Sequence, residues 1–359
     1  MNRVASEPKL NYSILLFATI FILLISRPIS IILDGVGRNI IWMLFPLLIL
    51  PLAGTWMSLQ VSKRFGGTPL IVACGQITFR WLTPVLYLLY AILFMGIATY
   101  TIAMSGDFSA RVLEYGDSKL AIIFGVWVTA CTALFPIETL IRYSQVLMIV
   151  VIPIYLVLKV TLLMDAQLSW LQPLFNTKDM VHPLDAIVVM MCVCSPLATV
   201  TVVNRKRTHT SFRSIGVYLT LAVVITTYLV AMCIATFGIH TARKMEYMVY
   251  YGQSAVHLES FIFEKSTFFG SILLLFFKIV GNAFMMRCAA LSLAQTFGAR
   301  VGIIPVFFTG GVTTIFLWQI DLPLFFMKAP LWLGYYSVTL IVVFPALIYG
   351  ILLLRGNKS

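Results

Sequence analysis

The stretch "FILLISRPISIIL" (residues 21–33) is apolar enough to lie inside a membrane helix, yet it carries Arg27 and Pro28 side by side near its middle. A guanidinium at bilayer depth is expensive, and a proline inside a helix removes one backbone hydrogen bond and crowds the carbonyl one turn earlier. The pair therefore marks a place where a membrane helix is expected to be discontinuous.

The rest of the chain supplies the membrane. Of 359 residues, 60% are hydrophobic and 11% charged, with a mean hydropathy of +0.98. Soluble domains carry about 25% charged residues, so a soluble protein is excluded. Apolar stretches recur at about 20 residues, the length that crosses roughly 30 Å of hydrocarbon. Ten are expected to span: 13–34, 40–60, 81–104, 119–137, 144–164, 184–203, 215–239, 266–286, 301–320 and 331–354. They form one integral membrane domain over 1–359, all-α and polytopic. The first stretch is too long for the core of a signal peptide and has no small-residue cleavage site after it, so no cleaved leader is expected. The six cysteines show no metal-ligand spacing and read as small buried residues.

Ten crossings put both termini on one side. That side collects 14 of the 25 lysines and arginines, including the cluster "NRKRTHTSFR" after the sixth span. By the positive-inside rule both termini are cytoplasmic. The net charge of +12 is then an orientation signal, helped by anionic lipid, and no nucleic-acid partner is implied. Arg27, Lys159 and Lys278 remain inside spans, whereas acidic residues fall only at span ends, as Asp34 does. A cation pathway would place carboxylates at depth. Here the fixed charge is positive.

Span six, "DAIVVMMCVCSPLATVTVV", repeats the theme of span one, with Pro196 near its middle and a serine just before it. The two spans are five apart in order and run in opposite directions. Interrupted helices so related indicate two inverted five-helix repeats, with a ligand site at the midplane between the breaks. The freed N–H groups attract a carboxylate and the freed carbonyls an ammonium. The expected ligand-binding set is Ser26, Arg27, Pro28, Ile29 and Ser30 in the first break, with Cys194, Ser195, Pro196, Leu197 and Thr199 in the second. Lys278 and Asn282, one turn apart on span eight, join them. Arg27 reads either as a bidentate carboxylate holder or as an internal counter-ion for the broken carbonyls. Lys159 is close enough to the outer end of its span to snorkel. Lys278 has no such escape and must pair, bond carbonyls or lose its proton. The four histidines lie in loops without metal spacing, and no Ser/His/Asp set falls at one depth, so neither a cofactor nor an enzyme is expected.

Four stretches resemble one family. "KRFGGTPL" (63–70), "IETLIR" (137–142), "FIFEK" (261–265) and "LSLAQTFG" (291–298) are similar, in order and spacing, to runs in the B subunits of spore-germination receptors. The resemblance implies the amino acid–polyamine–organocation transporter superfamily and its inverted-repeat fold. It further implies sporulation and a place in the inner spore membrane beside A-type and C-type subunits. There the B subunit senses a nutrient, often an amino acid, and signals to its partners. The alternative on the same fold is a permease that moves its ligand. The chain departs from the family at "SRPIS", at "SPLATVT" and at "YYGQSAVHLES", all around the expected pocket, so scaffold carries over and ligand identity does not.

The charge count generates the first prediction. A cysteine placed at Ser359 should react with a membrane-impermeant thiol reagent from the cytoplasmic face alone. Labelling from outside alone would overturn the assigned orientation.

Overall fold

The computed structural model describes residues 11–78, 80–112, 117–160, 166–173, 175–203, 211–248, 261–299 and 302–355. At 111–112, 155, 157–160, 261–270 and 355 it describes the backbone alone. Among these residues the secondary structure is helical throughout. In chain order the main helices are α1 (Ser13–Leu24), α2 (Arg27–Val36), α3 (Ile49–Arg64), α4 (Leu70–Ile77) and α5 (Leu82–Val112). They continue as α6 (Ser118–Ala133), α7 (Ile137–Val160), α8 (Pro183–Val193), a 3₁₀ segment (Ser195–Thr201), α9 (Phe212–Lys244) and α10 (Phe261–Thr296). The series closes with α11 (Ile303–Gln319), α12 (Leu322–Ser337), a π-helical turn (Val338–Val343) and α13 (Phe344–Arg355).

Five segments are long and apolar enough to cross a membrane: Leu82–Ala110, Ile137–Ile154, Phe212–Lys244, Ser271–Thr296 and Leu322–Leu354. Two bent pairs, α1 with α2 and α8 with the 3₁₀ segment, bring the number to as many as seven. α6 and α11 are shorter apolar helices. The protein is a helical membrane protein.

Several expected boundaries move. The third stretch continues as helix to Val112, which brings Asp107 into it. The last begins at Leu322, because Asp321 precedes it and Pro323 sits where its missing N–H has no helical partner to lose. Cys131 is exposed, whereas the other five cysteines are buried.

α1 is buried on every side, so its apolar circumference meets protein all round. It packs on α9, α10, α7 and the 3₁₀ segment, whereas α2 packs on α8. The two bent pairs therefore lie side by side and antiparallel. Tyr12 at the start of α1 donates to Thr199 Oγ1 in the 3₁₀ segment at 2.6 Å. At the other end His182 N–H donates to Gly35 O at 3.0 Å.

Two glycines permit backbone to touch backbone. A Cβ on Gly334 in α12 would collide with Val188 O of α8, and one on Gly54 in α3 with Ile341 O in the π turn. That turn frees carbonyls, and Tyr90 of α5 donates to one of them, Leu340 O, at 2.8 Å. Elsewhere Arg287 of α10 holds the carbonyls of Ala133 (2.9 Å) and Leu134 (3.1 Å) at the end of α6. A cation at a helix C-terminus is favoured by the carbonyl dipoles there.

Gly→Ala ordinarily favours a helix by up to about 1 kcal/mol. At Gly54 and Gly334 the collision should reverse the sign, costing about 1–3 kcal/mol as overpacking does. Gly311→Ala, where the added methyl meets nothing within 4 Å, is the control. Melting of the purified proteins in detergent should fall for the first two variants and not for the third.

Candidate functional site at the paired helix breaks

The first break occupies Ile25 and Ser26 and bends the chain by 61°. The second centres on Cys194 and bends it by 47°. Each lies a residue or two earlier than the prolines suggest. In both, the proline is the second residue of the following helical segment, where a missing N–H leaves no acceptor unsatisfied. Arg27–Ser30 is thus the first turn of α2, and Ser195–Thr199 lies within the 3₁₀ segment.

The freed backbone groups are partly used up internally. Ser26 Oγ donates to Ile22 O at 2.6 Å. Pro28 has no N–H, and that of Ile29 turns back to Ser26 O at 3.2 Å, which leaves the Arg27 N–H as the open donor of this turn among the described residues. At the second break Leu197 N–H bonds Cys194 O at 2.9 Å. Thr199 donates to Pro196 O at 2.6 Å while accepting from Tyr12, so it faces the inner packing and not an open pocket. Ile29, Leu197 and Cys194 are core residues.

Arg27 sits at the centre. Its Nη2 meets Glu246 Oε1 at 3.0 Å, and its Cζ lies 5.1 Å from the Phe326 ring centroid. Its Nη1 is buried and has no hydrogen-bond partner among the described residues. The Tyr100 hydroxyl, on α5, is likewise buried without a partner there, and it lies within electrostatic reach of Arg27 and of Cys192 on α8. Ser195 Oγ is a third such atom. An unsatisfied buried donor costs about 1–3 kcal/mol.

The segment Met245–Met248 closes over this arrangement. Ser30 Oγ donates to Met245 O at 2.9 Å, and Glu246 holds Arg27. Tyr247, the next residue, donates to Asp107 Oδ2 at 2.7 Å and stacks edge-on against Phe108 with centroids 5.6 Å apart. Burial and the adjoining Asp107 carboxylate push the Tyr247 phenol far above its usual range. Asp107 is buried near the end of the Leu82–Ala110 span.

Lys278 and Asn282 diverge from the set. Lys278 Nζ lies 4.3 Å from the Phe108 centroid. Asn282 lines a lateral cleft of about 680 Å³ between α5, α6 and α10. The Lys159 side chain lies outside the described residues, as does 249–260, the segment that follows Met248. Sequence reasoning missed Tyr100, Asp107, Glu246, Tyr247 and Phe326. Asp107 left a trace, since "SGDFSA" continues the preceding helical run without a breaker, and Glu246 and Tyr247 belong to the long Tyr- and Met-rich loop 240–264, whose composition suits a cap over a vestibule.

No family model matches the chain, and no curated protein does. Among solved structures it is similar to Mhp1, a nucleobase-cation-symport-1 family transporter, in a closed conformation with bromovinylhydantoin bound. The TM-score is 0.53 at 15% identity, over 92% of this chain and 78% of that one. At that identity the shared property is the fold alone.

Tyr247→Phe removes a bond to a buried carboxylate. It should cost about 1.5–3 kcal/mol, read as a lower melting temperature, whereas Tyr228→Phe on α9 should not.

Proposed function

We propose that this chain is a carrier that binds a small carboxylate or zwitterion, most simply an amino acid, between the two breaks and moves it by alternating access. In this reading ten crossings form two inverted five-helix repeats with both termini cytoplasmic. The observation that carries it is Arg27, which spends Nη2 on Glu246 and keeps Nη1 buried and open beside the unpartnered Tyr100 hydroxyl. A carboxylate there would accept from Nη1, from the Arg27 N–H and from Tyr100, a set of charge-assisted and neutral bonds. The ligand contacts are accordingly Arg27 and Tyr100, with Ser195 across the second break. The transporter fold shared with Mhp1 supports transport over sensing.

A second reading is favoured by the four motifs at 63–70, 137–142, 261–265 and 291–298. There the same pocket senses a nutrient in the spore membrane and signals to A-type and C-type subunits without moving its ligand.

Purified protein in liposomes, offered a mixture of labelled amino acids, separates them. Saturable uptake is expected, and binding without uptake would favour the receptor. Arg27→Ala should weaken apparent affinity roughly ten- to a hundredfold, the equivalent of about 1.5–3 kcal/mol. Arg27→Lys should not restore it, because an ammonium lacks the planar fork. Unchanged affinity in Arg27→Ala would remove the carboxylate site.

A further inference from the structure

A groove of about 450 Å³ lies between α5, α11 and α12. It opens on the side of the protein, where Ile92, Phe316, Leu324 and Trp332 line it and are exposed. It is separate from the site at the breaks: Phe325 lines the groove, whereas the next residue, Phe326, turns its ring to Arg27. The hydroxyls of Thr99 and Thr313 in its lining hydrogen-bond each other at 3.3 Å, so these walls present hydrocarbon. In a bilayer such a groove is filled by chains, because an empty one forfeits dispersion contacts along its whole lining.

Two charged residues in the lining set its chemistry. Asp321 and Lys328 both line the groove and both are exposed. Asp321 stands at the N-cap of α12, just before the Leu322–Leu354 span, yet its carboxylate does not cap the helix. Lys328 lies inside that span, about 9 Å along the helix from Leu322. Seven residues, two turns, separate the pair and put both on one face, and helical side chains lean toward the N-terminus. Among the described residues neither side chain makes an ion pair or a hydrogen bond. An ammonium within a span is costly unless it snorkels or meets an anion. The anion that a bilayer supplies near that depth is the phosphate of a phospholipid. With its phosphate on Lys328, a lipid directs its headgroup toward Asp321. That carboxylate favours a primary ammonium, which donates N–H bonds to it. It disfavours an uncharged glycerol, and a quaternary choline has no N–H to give.

We propose that this groove is a binding site for an aminophospholipid of the phosphatidylethanolamine type. One acyl chain lies along the groove, the phosphate meets Lys328 and the ammonium meets Asp321. The site does not depend on whether the chain carries or senses its ligand.

The test titrates the purified full chain in detergent with phosphatidylethanolamine, phosphatidylglycerol and phosphatidylcholine of identical acyl chains, and reads the first bound lipid by native mass spectrometry. Wild-type protein is expected to hold phosphatidylethanolamine about two- to fivefold more tightly than either other lipid, the scale of a partly exposed ion pair. Lys328→Met keeps the length of the side chain and removes the phosphate contact, so affinity for all three lipids should fall by a similar factor. Asp321→Asn keeps a good N-cap residue and removes the amine contact, so a lipid should still bind but without preference among headgroups. Neither side chain bonds to the rest of the protein, so both variants keep the fold. A headgroup preference unchanged in Asp321→Asn, or an affinity unchanged in Lys328→Met, overturns the proposal. So does a wild type that holds the three lipids alike or prefers phosphatidylglycerol. A dimer that excludes lipid overturns it too, by giving the groove to a second copy of the chain.

Discussion

Inside hydrocarbon every backbone N–H and C=O must find a partner within the protein. The two breaks suspend that requirement at one place, and much of the surrounding architecture answers it. Ser26 caps Ile22 O, Ile29 bonds back across the first turn, and Thr199 closes on Pro196 O. The prolines stand where a missing N–H does least harm. What the local bonds leave over, among the described residues, includes the Arg27 N–H and Nη1 and the Tyr100 and Ser195 hydroxyls.

A guanidinium at this depth is tolerable because its surroundings are not lipid. Phe326 offers a ring face to it. Glu246 supplies a counter-charge, although that carboxylate is 38% exposed and partly screened by water. Glu246 and Tyr247 are consecutive, so a single backbone turn attaches to α2 through one residue and to α5 through the next. Neither bond can be released by a large movement of the segment without straining the other.

The breaks were legible in the sequence because proline has one physical meaning in a helix, and its occurrence in spans one and six reported both positions to within two residues. The spans were legible from hydropathy, although their ends were not. α5 runs on to Val112 because Ser105, Gly106 and Ser109 permit close packing without stopping a helix. Arg27 stood out as a charge in an apolar run. Tyr100 and Phe326 did not, since an aromatic in a membrane helix looks like any other core residue. Glu246 could not be matched to Arg27 across 219 positions, because chain order does not pair a single loop carboxylate with a single buried cation. Asn282, one turn from Lys278 on the same helix, faces the lateral cleft between α5 and α6.

The contact of Gly334 with Val188 O welds α12 to α8, which in turn packs on α2. On the other side of the breaks α1 belongs with α9 and α10, and the 3₁₀ segment bonds to the start of α1. Each interrupted span is therefore shared between two assemblies, its halves owing allegiance to different neighbours. The line through Ser26 and Cys194 is a seam between them. Across it the chain supplies two short covalent strips whose helical bonding is already interrupted. Rotation about that seam would break few additional backbone bonds.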